Sequence, residues 1–170
     1  MIHVVLYEPE KPANTGNIMR TCMAAGAILH LIEPLGFYVD DRHLKRAGMD
    51  YIEELEWHVH RNWEAFCEAY PGDYIYVSRY GQKSHDEIDY TKEPGDIFLV
   101  FGKESTGIPY QIMKDHLDRQ IRIPMVPSAR SLNLSNAAGI VLYEVLRQLG
   151  YPGLSRTEVI KGADYRGNPE

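Results

Sequence analysis

The sequence predicts an α/β domain built on a mainly parallel sheet flanked by helices. Two observations carry this expectation. Five short apolar runs, rich in β-branched residues and bounded by Pro or Gly, read as strands buried on both faces. Between them apolar residues recur at helical spacing, so that strands alternate with helices.

The first run, Ile2–Tyr7 (IHVVLY), is ended by Glu8-Pro9. A helix is expected over Thr15–Ala25, with Asn14 placed to cap its start. Ile28–Ile32 (ILHLI) reads as the second strand, followed by helical patterns over Asp41–Ala47 and Asn62–Ala69. Tyr74–Ser78 (YIYVS) and Ile97–Phe101 (IFLVF) read as strands, Tyr110–Asp115 as a short helix, and Ile121–Ile123 (IRI) as the last strand. The pattern over Asn133–Leu149 is the clearest helix, because Leu134, Ala138, Val141, Leu142, Val145 and Leu149 fall on one stripe. Gly150 sits where a C-terminal cap belongs, and Pro152 forbids continuation. One domain over residues 1–153 is expected, with residues 154–170 a weakly ordered tail poor in large apolar side chains.

With 170 residues, 44% of them hydrophobic, the chain can build one core without disulfide or metal. Cys22 and Cys67 form no C-x-x-C pair, which suits a reducing, cytoplasmic setting. No run approaches the ~20 apolar residues needed to cross a bilayer, and MIHVVLYEPE reads as a strand and not as a signal peptide. The net charge of −6 excludes bulk attraction to nucleic acid, so any RNA contact needs a local basic face. The seven histidines are scattered, and His58-x-His60, on a polar alternating strand-like segment, reads as solvated surface residues and not as a metal site. No metal is expected.

In an open α/β sheet, ligands bind beyond the C-terminal ends of the strands. Three loops there combine Gly or Pro with small polar residues: Pro12–Arg20, Gly102–Pro109 and Pro124–Asn136. No G-x-G-x-x-G follows the first strand, and Ile97 occupies the glycine position that a phosphate loop ending at Gly102-Lys103 would need. Ser131 has no visible Ser-His-Asp partners. Asn14, Ser131, Asn133 and Ser135 each have a local reading as helix caps, and Arg20 as a surface residue. Glu104, between two glycines after a buried strand, has no such local reason.

Taken together, Asn14-Thr-Gly-Asn-Ile-x-Arg20-Thr, Phe101-Gly-Lys-Glu-Ser-Thr-Gly-Ile-Pro109 and Ile121-Arg-Ile-Pro-Met…Ser131-Leu-Asn-Leu-Ser-Asn-Ala-Ala resemble the three motifs of the SPOUT superfamily of RNA methyltransferases. The match is strongest to the small bacterial tRNA 2′-O-methyltransferases that act on the wobble nucleotide. It includes LYEPE-KPANTGNI, IEPLGF, RAGMDY and QLGYPG, and it covers residues 1–153. The resemblance implies a C-terminal deep trefoil knot, a homodimer, and S-adenosylmethionine bound in the knot without a metal. Carried over position by position, it implies that Val77, Gly102, Ile123, Met125, Ser131 and Leu132 hold the cofactor. It likewise implies that Arg20, Asn14, Glu104, Ser131 and Asn133 form the catalytic constellation.

The expected reaction moves a methyl group to the ribose 2′-OH of a wobble cytidine or modified uridine in a tRNA anticodon stem-loop, with leucine tRNAs the expected substrates. The alternatives are 2′-O-methylation of rRNA or of another tRNA position, and S-adenosylmethionine or RNA binding without catalysis. The resemblance also casts Arg20 as the general base. A guanidine with a pKa above about 12 is not a populated base, so a phosphate-assisted deprotonation beside Arg20 is the physically easier route. Arg42, Lys45, Arg46 and Arg130 are the expected RNA contacts, with Arg79, Lys83 and Arg122 also near strand ends.

Overall fold

The computed structural model describes residues 1–40, 42–47 and 52–167. Its strands are β1 (Ile2–Tyr7), β2 (Ile28–Ile32), β3 (Trp57–His60), β4 (Ile75–Val77), β5 (Lys83–Ser84), β6 (Ile97–Phe101) and β7 (Gln120–Arg122). They form one sheet in the order β3-β2-β1-β6-β4-β7-β5, with every pairing parallel. The helices are α1 (Pro12–Ala25), α2 (Arg42–Ala47), α3 (Trp63–Ala69), α4 (Tyr110–Met113) and α5 (Leu134–Leu149). Asp41, residues 48–51 of the RAGMDY segment and tail residues 168–170 lie outside the described residues.

The unbroken apolar runs are explained by a core on each face of the sheet. Alternate residues Val4, Leu6, Leu29, Leu31, Leu99 and Phe101 pack with Ile18, Met19 and Cys22 of α1 and with Val141, Leu142, Val145 and Leu146 of α5. Each of these four α5 side chains is essentially fully buried and contributes about 1.5–3 kcal/mol of transfer free energy. Val5, Ile32, Tyr76, Phe98 and Val100 face the other way, onto Phe66 of α3 and Met113 of α4.

Several boundaries differ from the sequence expectation. α1 begins at Pro12, where a missing N–H costs nothing, so Asn14 lies inside the helix and is not its cap. β4 and β7 are each trimmed or shifted to Ile75–Val77 and Gln120–Arg122, and α4 ends at Met113. The edge strands β3 and β5 were not among the five expected runs, since one is polar and the other has two residues. α5 ends as expected, with Gly150 in the left-handed conformation at φ 80.

The histidines correct the surface reading. His3 and His30 are buried and His58 and His60 are half-buried, because parallel register aligns β1, β2 and β3 beneath Phe66 and Tyr70. His3 Nε2 lies 3.1 Å from the Asp96 carboxylate, His3 Nδ1 2.9 Å from His30 Nε2, and His30 Nδ1 2.9 Å from His60 Nε2. Because an ionised Asp96 only accepts, His3 donates to it through Nε2, accepts from His30 Nε2–H at Nδ1, and passes the same tautomer on to His60. Burial, reinforced by the neighbouring rings, pushes His30 down to about 3, and burial also lowers His3 and His60. The unfolded chain therefore binds these protons first. The stability this cluster contributes is complete above the unfolded value near 6.5 and is lost as pH falls from there toward 3. The melting temperature should drop over that interval, and in His30→Leu the slope should be flatter. An equal slope in both proteins would contradict the assignment.

Candidate active site

The loops that follow β1, β4, β6 and β7 meet at the C-terminal end of the sheet around a cavity of about 450 Å³. That is large enough for a small organic ligand. Val77, Gly102, Ile123, Met125, Ser131 and Leu132 all line it, as do Asn14, Glu104 and Asn133. Residues more than a hundred positions apart are thus brought to one place. The β6 loop closes on itself: the Gly107 amide donates to the Lys103 carbonyl at 2.9 Å. A Cβ on Gly102 would lie 2.2 Å from the Gly107 carbonyl carbon and 2.2 Å from the Ile108 nitrogen. Only glycine permits so close an approach of backbone to backbone.

Glu104 is what joins this loop to α1. No side chain of its own caps α1, and Glu104 takes that part from across the sheet. It accepts from the Glu10 amide at 2.8 Å, the Lys11 amide at 3.1 Å and Asn14 Nδ2 at 3.4 Å. A carboxylate there also meets the positive end of the helix. The tie is returned, since Glu10 accepts from the Ser105 amide at 2.9 Å and the Ser105 hydroxyl at 2.6 Å. Those bonds, the hydroxyl first, hold the Glu10 carboxyl below its usual range. Asn14 Oδ1 in turn accepts from Asn133 Nδ2 at 3.0 Å. The Oδ1 of Asn133 caps α5 by accepting from the amides of Ser135 and Asn136 at 2.9 and 3.3 Å. One polar chain therefore fixes the first turns of both long helices against the cavity.

The family model of the SpoU rRNA methylase family matches residues 1–143. The chain belongs to this family. Relatives of this SpoU methylase include the tRNA (cytidine(34)-2′-O)-methyltransferase of Escherichia coli K12, 49% identical over 156 residues, which span 90% of this chain and 97% of that protein. Among solved structures, one concerned with 2-OH methylation of C/U34 on tRNA superposes with a TM-score of 0.81 at 43% identity, covering 88% of this chain and 97% of that one. The AdoMet-bound rRNA methyltransferase from Sinorhizobium meliloti superposes with a TM-score of 0.77 at 29% identity, covering 87% of this chain and 56% of that one.

Other residues singled out from the sequence of this methylase stand away from the cavity wall. Arg20 is exposed on α1, about 9 Å along the helix from Asn14 at 1.5 Å per residue, and it does not line the cavity. Arg42, Lys45 and Arg46 are exposed on α2, which packs on α1, and Arg130 is exposed in the β7 loop. Sequence reasoning missed Glu10, Lys11 and Ser105. The reciprocal Glu10–Ser105 and Glu104–Lys11 pairing becomes visible only once β1 and β6 are known to be neighbours.

Removing Glu104 leaves two backbone amides and an asparagine donor without their acceptor. Glu104→Ala should cost about 1–3 kcal/mol, a drop of roughly 3–10 °C in melting temperature for a chain of this size. Scanning calorimetry reads it, and an unchanged melting point would mean that the bonds carry no stability.

Proposed function

We propose that the chain transfers a methyl group from S-adenosylmethionine to the ribose 2′-OH of the wobble nucleotide, cytidine or modified uridine, in a tRNA anticodon loop. The observation that carries this reading is the convergence of the β1, β6 and β7 loops on one cavity, in a chain 49% identical to an enzyme named for that reaction. The cavity fits the cofactor. Val77, Ile123, Met125 and Leu132 offer apolar contact for a purine, and the β6 loop from Gly102 to Ile108 lines the cavity beside them. When bound, S-adenosylmethionine supplies an electrophilic methyl group on a sulfonium.

The remaining work falls to the chain. Arg20 presents a planar fork to the phosphate beside the target ribose and steadies charge growing on the 2′-oxygen. The proton leaves with assistance from that phosphate, because the guanidinium stays charged. Asn14 and Asn133, locked to each other and to Glu104, hold the α1 and α5 ends at a set separation, with Ser131 beside them. Catalysis is then largely positioning of the acceptor oxygen. Arg42, Lys45 and Arg46 on α2 and Arg130 in the β7 loop, all exposed outside the cavity, contact further phosphates of the RNA.

The same reading includes a trefoil knot formed by the C-terminal segment, supported by β7 lying between β4 and β5, both of which precede it in the chain. It includes a homodimer, supported by the exposed Ile140 and Tyr143 on α5. It also includes leucine tRNAs as substrates, a cytoplasmic location, and a domain over 1–153 followed by a tail. Among the described residues no helix is long and apolar enough to cross a membrane. Incubation with bulk tRNA, rRNA and methyl-labelled cofactor, followed by mass-spectrometric mapping of the labelled nuclease fragments, tests the reading. Label at position 34 of tRNA is expected. Label confined to rRNA would transfer the activity to another RNA, and no label would remove it.

A further inference from the structure

The turn after β4 carries a feature that the reaction as described does not use. The Tyr80 amide donates to Ser78 Oγ at 3.2 Å, and the Gly81 amide donates to the Ser78 carbonyl at 3.0 Å. Gly81 is buried against β7, where a Cβ would lie 2.3 Å from the carbonyl carbon of Ile121. The turn is pinned from below and cannot recede. On its outer side Tyr80 is 71% exposed, although it lines the rim of the cavity. The Arg79 guanidinium lies 5.4 Å from its ring centroid, and the Arg79 carbonyl accepts from Arg122 Nη1 at 3.2 Å. Lys11 and Arg122 share the rim. The nearby acids are engaged, Glu104 by backbone amides, Glu10 by Ser105, and Glu8 by Lys103 Nζ at 4.0 Å.

A flat aromatic face on a rigid turn, ringed by cations at the rim of a cavity, matches an unpaired nucleobase with its flanking phosphates. We propose that Tyr80 is a stacking platform for a base of the single-stranded RNA loop that approaches the cavity, with Arg79 and Arg122 meeting the adjacent phosphates. This rests on the RNA methyltransferase reading and adds to it a residue that selects an unpaired, flipped-out substrate over a duplex. Stacking on a base tolerates any sequence, so Tyr80 contributes affinity for loop geometry and leaves base identity to other contacts.

The test uses the full chain, a fluorescent anticodon stem-loop RNA and, separately, S-adenosylmethionine by calorimetry. Tyr80→Ala should weaken RNA binding about tenfold, whereas Tyr80→Phe, which keeps the face, should stay within about twofold. Both should bind the cofactor as the parent does. Tyr80→Ala should leave the salt dependence of RNA binding unchanged, while Arg79→Ala lowers its slope by about one. RNA affinity unchanged in Tyr80→Ala would overturn the platform alone. A parallel loss of cofactor affinity would also overturn it, placing the ring on the cofactor. A parent protein that binds no stem-loop at any salt concentration would overturn it together with the reading on which it rests.

Discussion

Gly102→Ala should sharply weaken cofactor binding. The added methyl would stand 2.2 Å from two backbone atoms of the same loop and 2.5 Å from a third, the Gly107 Cα, with no side chain able to yield. The loop must open, and opening it pulls Ser105 from Glu10 and Glu104 from the amides at the start of α1. Overpacking of this kind costs about 1–3 kcal/mol, so affinity for S-adenosylmethionine should fall by about 5- to 150-fold. Titration calorimetry measures it directly. The control is Gly95→Ala before β6, where an added Cβ meets nothing within 4 Å. Equal cofactor affinity in Gly102→Ala and the parent would show that the β6 loop does not form the site.

Arg20→Lys should lose most turnover while the protein stays folded. Arg20 is exposed on α1, so a lysine fits there without disturbing the core. Charge is conserved, but a point charge cannot reproduce the two parallel hydrogen bonds to a phosphate that the role proposed for Arg20 requires. Removing such a preorganised contact costs about 100-fold or more in kcat, near 2.7 kcal/mol in the barrier. Cofactor affinity should be unchanged, since Arg20 does not line the cavity. Steady-state kinetics on tRNA with parent-like kcat would remove Arg20 from the reaction.

How far the sequence could be read depended on whether a feature was local. The strands β1, β2 and β6 were legible because each is a continuous apolar run flanked by turn residues. α5 was legible because stripe, Asn133 and Gly150 all lie within one segment. β3 was legible only as a strand-like alternation, and its polar residues hid the burial of its histidines. The buried histidine chain escaped for a related reason. His3 and His30 sit inside apolar runs, but their pairing with each other and with His60 depends on the register of three strands.

The site divides the same way. Glu104 stood out because nothing local called for an acid, yet its partners Glu10, Lys11 and Asn14 lie 94, 93 and 90 residues away. Asn14 and Asn133 each looked like a cap. Asn133 is one, Asn14 is not, and the bond between them spans 119 positions. Tyr80 gave no sign in the sequence, because an exposed tyrosine acquires meaning only from the cavity rim on which it stands. The three motifs announced the chemistry, while the connections among them had to come from three dimensions.

The most direct test of the central claim is a crystal structure of the chain with S-adenosylhomocysteine. The account predicts density for the ligand within the cavity bounded by Val77, Gly102, Ile123, Met125 and Leu132, with the Glu104–Asn14–Asn133 chain intact beside it. Ligand density elsewhere on the chain, or a cavity still empty at a ligand concentration that saturates the protein in solution, would contradict it.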